Sequence, residues 1–163
     1  MIKAKVFSLA MVPEAGQYLV TLEEINGTRL LPIWIGPSEG MAIAAVLGKH
    51  DFPRPLTHDL TVNMLKELKV TLDSVIVTEL KNDAFYANIV LKQGKKKLCI
   101  DARPSDSIAI ALRVDAPIFI EEEVLNKCPK IQKPITSSEV EKFKKGLEKL
   151  RPEDFFQEGR DGR

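Results

Sequence analysis

The sequence predicts an α+β fold of two layers, mainly antiparallel in its strands and built twice from one β-hairpin/strand-plus-helix unit. Three observations carry this reading. The stretch "LPIWIGPSEGMAIAAVL" aligns without gaps on "LCIDARPSDSIAIALRV", at the 67-residue separation of Pro37 from Pro104. Ser38 then falls on Ser105, Glu39 on Asp106, and Ala42, Ile43 and Ala44 on Ala109, Ile110 and Ala111. The same offset sets Asn26-Gly27 on Gln93-Gly94, two hairpin turns in which glycine supplies the backbone freedom a tight turn needs. Strands do not alternate regularly with helices, which argues against a doubly wound parallel sheet.

In chain order, "KAKVFSLAMV" reads as a strand before Gly16, and "QYLVTLEEI" with "RLLPIWI" as a hairpin. The helix "GMAIAAVL" closes the first unit. Pro53 and Pro55 then block helix, and Thr57 is placed to cap the next one, with Leu60, Met64, Leu65 and Leu68 as its apolar stripe. The second unit repeats the plan with "LDSVIVTEL", "AFYANIVL", "KKLCI" and the helix "SIAIAL". "APIFI" reads as a closing strand and "EEEVLNK" as a short helix. Ser138 and Glu141 form a capping-box pattern for a charged helix reaching about Leu150, and "QEGRDGR" reads as a frayed tail. The expected organisation is a domain over 1–125, with repeats at about 3–48 and 70–115, and a C-terminal helical extension over 126–163.

A chain of 163 residues with 44% hydrophobic content is large enough for one core without staples. Its formal net charge of +1 supplies no global field, so any polyanion must be held by a local patch. Cys99 and Cys128 show no CxxC spacing, and "MIKAKVFSLAMV" is too short and too soon charged for a secretory leader, so a reduced, cytoplasmic protein is expected. No apolar run approaches the roughly 20 residues that span a bilayer, and no membrane partner is expected. Both repeat helices are apolar on nearly every side, which predicts burial and a homodimer.

Charge at the second repeat needs a reason. Glu39 and Asp106 fit helix starts, where a carboxylate favours the exposed amides. Asp101 and Arg103 have no charged counterpart, since the first repeat places Trp34 and Gly36 there. One residue apart on an extended strand, they share a face, so two carboxylates and a guanidinium converge there or simply form a salt bridge. A second cluster, "RPLTHDL", holds Arg54, His58 and Asp59. The spacing of His50 and His58 matches no zinc pattern. The lysines of "LKQGKKKL" read as hairpin-tip charge that discourages edge pairing.

The phrases "IGPSEGMAIA", "RPLTHDL", "FYANIVL", "DARPSDSIAIAL" and "APIFIEEEVL" resemble, in order and spacing, the bifunctional nuclease family, a small DNase-RNase domain. Gly40 and Ser107 stand where the family phrase usually has alanine. The resemblance implies nuclease activity on DNA and RNA as substrates. An enzyme acting on both needs an activated water or a protein nucleophile, because DNA lacks the 2′-OH. Under that reading Asp101, Asp106 and Glu39 are expected to hold Mg²⁺ or Mn²⁺, Arg54 and Arg103 to clamp phosphate beside Ser105, and His58 to act as general base or acid. The rival expectation is a non-catalytic dimeric module holding an anionic ligand or protein partner at its helix starts.

Overall fold

Each repeat folds as three antiparallel strands followed by a helix. The structure is a computed structural model and describes residues 1–129, 131–134, 137–149 and 151. The first unit is β1 (Ile2–Val12), β2 (Gln17–Glu24), β3 (Arg29–Ile35) and α1 (Pro37–Leu47); the second is β4 (Thr71–Lys81), β5 (Ala84–Gln93), β6 (Lys96–Ala102) and α3 (Pro104–Val114). Between them runs α2 (Thr57–Glu67), and after them come β7 (Ile118–Ile120), α4 (Glu122–Lys127), β8 (Ile131–Gln132) and α5 (Ser137–Leu147).

The strands form one eight-stranded sheet in the order β6-β5-β4-β7-β1-β2-β3-β8. β7 is the seam between the two meanders: antiparallel to β1 through Ile2 and Ile120, and parallel to β4 through Val75 and Ile118, the one parallel pair among the described residues. Local turn chemistry sets the registers. Asn82 and Asp83 both take positive φ (51° and 59°), the pair of conformations a two-residue primed hairpin requires, and Gly94 does so at the next turn (φ 59°).

The all-round apolar character of α1 and α3 is answered inside the chain. The helices lie against each other and on one face of the sheet, burying Ala42, Ile43 and Ala45 of α1 and Ile108 to Ala111 of α3. At Gly40 a Cβ would fall 2.2 Å from the Tyr18 ring, so glycine is what lets α1 settle on β2. α3 is thus covered within the chain, whereas α1 leaves Met41 and Leu47 exposed.

Two local expectations need correction. Thr57 is the first helical residue of α2 rather than its cap; the Asp59 carboxylate accepts a hydrogen bond from the Leu56 N–H (2.8 Å) and ties off that start. The stripe is also rotated. Leu60, Met64 and Leu68 are exposed, whereas His58, Val62 and Leu65 face inward. Those three are spaced i, i+4, i+7, so they share a face, and the polar partners of His58 and Asp59 on α3 fix the helix rotation.

The segment after Leu125 belongs to the same sheet. β8 pairs with β3 through Leu30 and Ile131, and α5 covers the sheet face opposite α1 and α3, with Leu147 against Val12 and Leu19 and the Phe7 and Phe143 rings 6.1 Å apart. The two expected layers thus gain a partial third. α5 begins at Ser137, one residue ahead of the proposed cap at Ser138, while Leu150 and the tail from 152 lie outside the described residues. Among the described residues no helix is long and apolar enough to cross a membrane.

Candidate active site

α1 and α3 start alike: an extended residue, then proline at the first helical position, serine, and a carboxylate. Because the helices pack side by side, these first turns come together. Arg103, the extended residue before α3, lies where their carboxylates meet. Its Nε donates to Asp106 Oδ2 (2.7 Å), and one terminal nitrogen, Nη2, reaches both Asp106 Oδ1 (3.1 Å) and Glu39 Oε1 (2.9 Å). Nη1 carries two further N–H donors.

α2 adds the imidazole. His58 Nε2 lies 3.0 Å from Asp106 Oδ1. A carboxylate only accepts, so Asp106 selects the tautomer with the proton on Nε2 and leaves Nδ1 as the basic nitrogen. The helix is held at this angle by Arg113, which donates from Nε to Asp59 (2.5 Å) and from Nη1 to the carbonyls of Ala42 (3.2 Å) and Ala109 (2.8 Å). One guanidinium thereby joins α1, α2 and α3.

Burial pushes the Asp106 carboxyl up, but the hydrogen bonds from Arg103 and His58 outweigh it and hold the group below the usual aspartate range. Asp59 behaves alike: burial raises it, and Arg113 with the Leu56 amide lowers it further than that. Asp106 in turn raises the Arg103 guanidinium against the cost of burial. The cluster is anionic and dehydrated in part, with two carboxylates against one guanidinium.

His58 and Asp106 line an open cleft of about 470 Å³ together with Ser38, Glu39, Met41 and Phe52. A second cleft of about 380 Å³ lies beyond, walled by Trp34, Gly36, Phe85 and Ser105. Glu39 and Arg103 line both clefts and so form the partition between them. β3 and β5 both contribute walls although four strands separate them in the sheet, so the sheet curls around the helix starts.

Of the residues singled out from sequence, Glu39, His58, Arg103 and Asp106 come together. Ser105 is buried and lines the second cleft. Arg54 is exposed in the loop before α2, which sends Phe52 rather than Arg54 into the first cleft. Asp101 is exposed on β6 and lines neither cleft.

The expected three-carboxylate ligand set for Mg²⁺ or Mn²⁺ is brought together only in part. Glu39 and Asp106 are already bridged by the Arg103 cation, Asp101 stands apart, and among the described residues no group of three His, Cys, Asp or Glu side chains could hold a metal ion. Arg113 escaped the sequence reading. Its signal was a single arginine within the otherwise apolar run "SIAIALRV", a position that demands partners when buried.

A model of the bifunctional nuclease domain matches residues 20–133. An uncharacterised protein of Mycobacterium tuberculosis is 38% identical over 162 residues, covering 94% of this chain and 97% of that protein. Bifunctional nuclease 1 of Oryza sativa subsp. japonica is 28% identical over 120 residues, 71% of this chain and 36% of the rice protein. Bifunctional nuclease 2 of Arabidopsis thaliana is 30% identical over 107 residues, 63% of this chain and 32% of the plant protein. The match to each plant protein thus spans about a third of its length. With the domain model covering most of the sequence, from the second strand to the edge strand β8, the chain belongs to the bifunctional nuclease domain family.

Proposed function

We propose that the chain is a cytoplasmic nuclease that hydrolyses phosphodiester bonds of DNA and RNA in the cleft where His58, Asp106, Arg103 and Glu39 meet. One observation carries the reading: a histidine oriented by a carboxylate and an arginine on that same carboxylate line one cleft. Family membership supports the substrate class, and the two thiols, neither of them in a disulfide, suit a reducing compartment.

In this reading Asp106 holds the imidazole and stabilises the imidazolium that forms. Nδ1 of His58 accepts the proton of the attacking water, or of the 2′-OH in RNA, as that oxygen bonds to phosphorus; the P–O bond to the leaving sugar oxygen breaks, that oxygen takes a proton from solvent water, and the imidazolium returns its own proton to solvent. Arg103 presents Nη1 to a non-bridging phosphate oxygen and meets the charge that develops there, while Glu39 and Asp106 keep the guanidinium plane fixed. A bare anion-binding module fits less well, because it gives no task to the His58–Asp106 pair.

The test is cleavage of labelled single-stranded DNA and RNA by the wild type, His58→Ala and Arg103→Ala, purified identically, each with Mg²⁺, Mn²⁺ or EDTA. His58→Ala is expected to lower the rate by about a hundredfold or more. Cleavage that survives EDTA but needs His58 fits the residues alone; cleavage lost in EDTA shows that the reaction needs a divalent ion as well. Equal cleavage by all preparations would reject the site, and no cleavage under any condition would favour the binding module.

A further inference from the structure

The two edges of the sheet are treated differently. β8 covers the outer side of β3, whereas no described residue pairs with the outer side of β6. β6 is also uncovered on its faces, with every residue but Ala102 exposed. Leu98 and Ile100 pair with Leu91 and Ile89, which are buried, so the apolar row of the core continues onto a strand where these side chains are 42% and 46% exposed. A strand with open backbone groups and half-exposed apolar side chains is a template for another strand.

Its sequence is complementary to itself. If β6 runs antiparallel to a second β6 about Cys99, Lys97 falls opposite Asp101, Leu98 opposite Ile100, and Cys99 opposite Cys99. Neighbouring registers are worse. Centring on Leu98 sets Lys96 against Ile100, and centring on Ile100 sets Lys97 against Arg103. Lys97 reaches Asp73 at 3.3 Å, but Lys92 also holds that carboxylate, so Lys97 is able to serve a second one.

We infer that β6 is the docking edge for a second copy of this chain, pairing in that register to make a two-fold dimer with a continuous sheet. The pairing gives Asp101 a role that the cleft does not, and explains why only the second repeat carries a charge there. It does not depend on the chemistry at His58. The lysines of the hairpin, expected to discourage edge pairing, sit at one end of the strand, where this register carries the partner's Lys95 to Arg103. Glu39 and Asp106 more than balance that guanidinium, so the approach of a further cation is favourable.

The experiment is light scattering over a protein concentration series, with a short bismaleimide to bridge thiols. Cys99 is exposed and Cys128 buried, so the reagent reports on Cys99. The expected mass rises toward twice 18.2 kDa, and the wild type, but not Cys99→Ser, gives a bridged dimer. Asp101→Lys and Lys97→Asp should each shift dissociation to lower dilution by at least severalfold, and the double exchange should recover pairing. All these positions are exposed, and melting curves check that the variants remain folded. A monomer at every concentration would overturn the proposal, as would a dimer that ignores Asp101→Lys and is not bridged at Cys99.

Discussion

Glu39 and Asp106 occupy the third position of equivalent helices in the two repeats, and one guanidinium, that of Arg103, ties them together. The residue equivalent to Arg103 in the first repeat is Gly36. An arginine at both positions would set two cations against the same two carboxylates. The difference between Gly36 and Arg103 makes the two helix starts an asymmetric pair.

Gly36 has a second task. A Cβ there would fall 2.4 Å from Glu39 Oε2, so the carboxylate must swing away from its present position if the residue is enlarged. The backbone itself imposes no penalty, since φ is −69°. Gly36→Ala is therefore expected to leave the melting temperature within a few degrees of wild type while weakening substrate binding or turnover severalfold. Calorimetry beside cleavage kinetics checks both halves; a large loss of stability would show that glycine serves the fold instead.

Asp106→Asn separates charge from shape. The wild-type carboxyl is held below its ordinary value near 3.8, so it binds fewer protons folded than unfolded at acid pH. Its contribution to stability is complete above about pH 5 and drains as pH falls through the unfolded value toward the folded one. The variant should show a flatter loss of stability between pH 5 and pH 3 in urea titrations. It should also lower kcat by about a hundredfold or more, because an amide does not select the Nε2–H tautomer as a carboxylate does. Identical acid slopes in the two proteins would contradict the pairing with Arg103 and His58.

Much of this was legible in the sequence because it was local or repeated. The paired "GPSEG" and "RPSDS" starts, the proline stop before α2 and the turn at Gly94 each encode their own structure within a few residues, whereas Gly27 sits in the longer connection between Glu24 and Arg29 without a positive φ. The meeting of Arg103 with Glu39 was not legible: the 63 residues between them close only when α1 and α3 pack, and the repeat tells that two units exist but not how they face. The rotation of α2 was hidden for a similar reason. Its apolar stripe suggested the wrong face, and the polar anchors His58 and Asp59, whose partners lie on α3, decided the outcome. Asp101 misled because adjacency to Arg103 on a strand does not place both at the helix start.

Arg113 is the anchor that can be removed. Its side chain is 7% exposed and serves one carboxylate and two carbonyls on three helices. Arg113→Ala leaves Asp59 without its cation, yet Asp59 is partly reached by water, so the expected loss is about 2 kcal/mol rather than the larger cost of a wholly buried pair. Arg113→Lys should restore little, since one ammonium cannot span all three acceptors. Urea midpoints measure the loss. A lysine variant as stable as wild type would mean that charge alone suffices and the three-way geometry is dispensable.

The segment beyond α4 supplies a cation to the first repeat. Glu23 is 4% exposed on β2, with Lys5 at 3.1 Å and Lys133, just after β8, on its other oxygen. Burial drives this carboxyl up; hydrogen bonds to Lys133 and Lys5 overcome it and hold the group below the ordinary glutamate value. The C-terminal segment thus completes a buried charge cluster in the first repeat, and the Lys133 amide donates to Thr28 O at 2.7 Å beside it. Lys133→Met should cost about 1–2 kcal/mol at pH 7, because a desolvated carboxylate keeps only one partner. The deficit should shrink as pH falls and Glu23 takes up a proton, since the neutral acid has less need of the lysine. Glu23→Gln combined with Lys133→Met should recover part of the loss. Additive effects in that double-mutant cycle would show that Lys133 acts through the β8 strand pairing and not through the carboxylate.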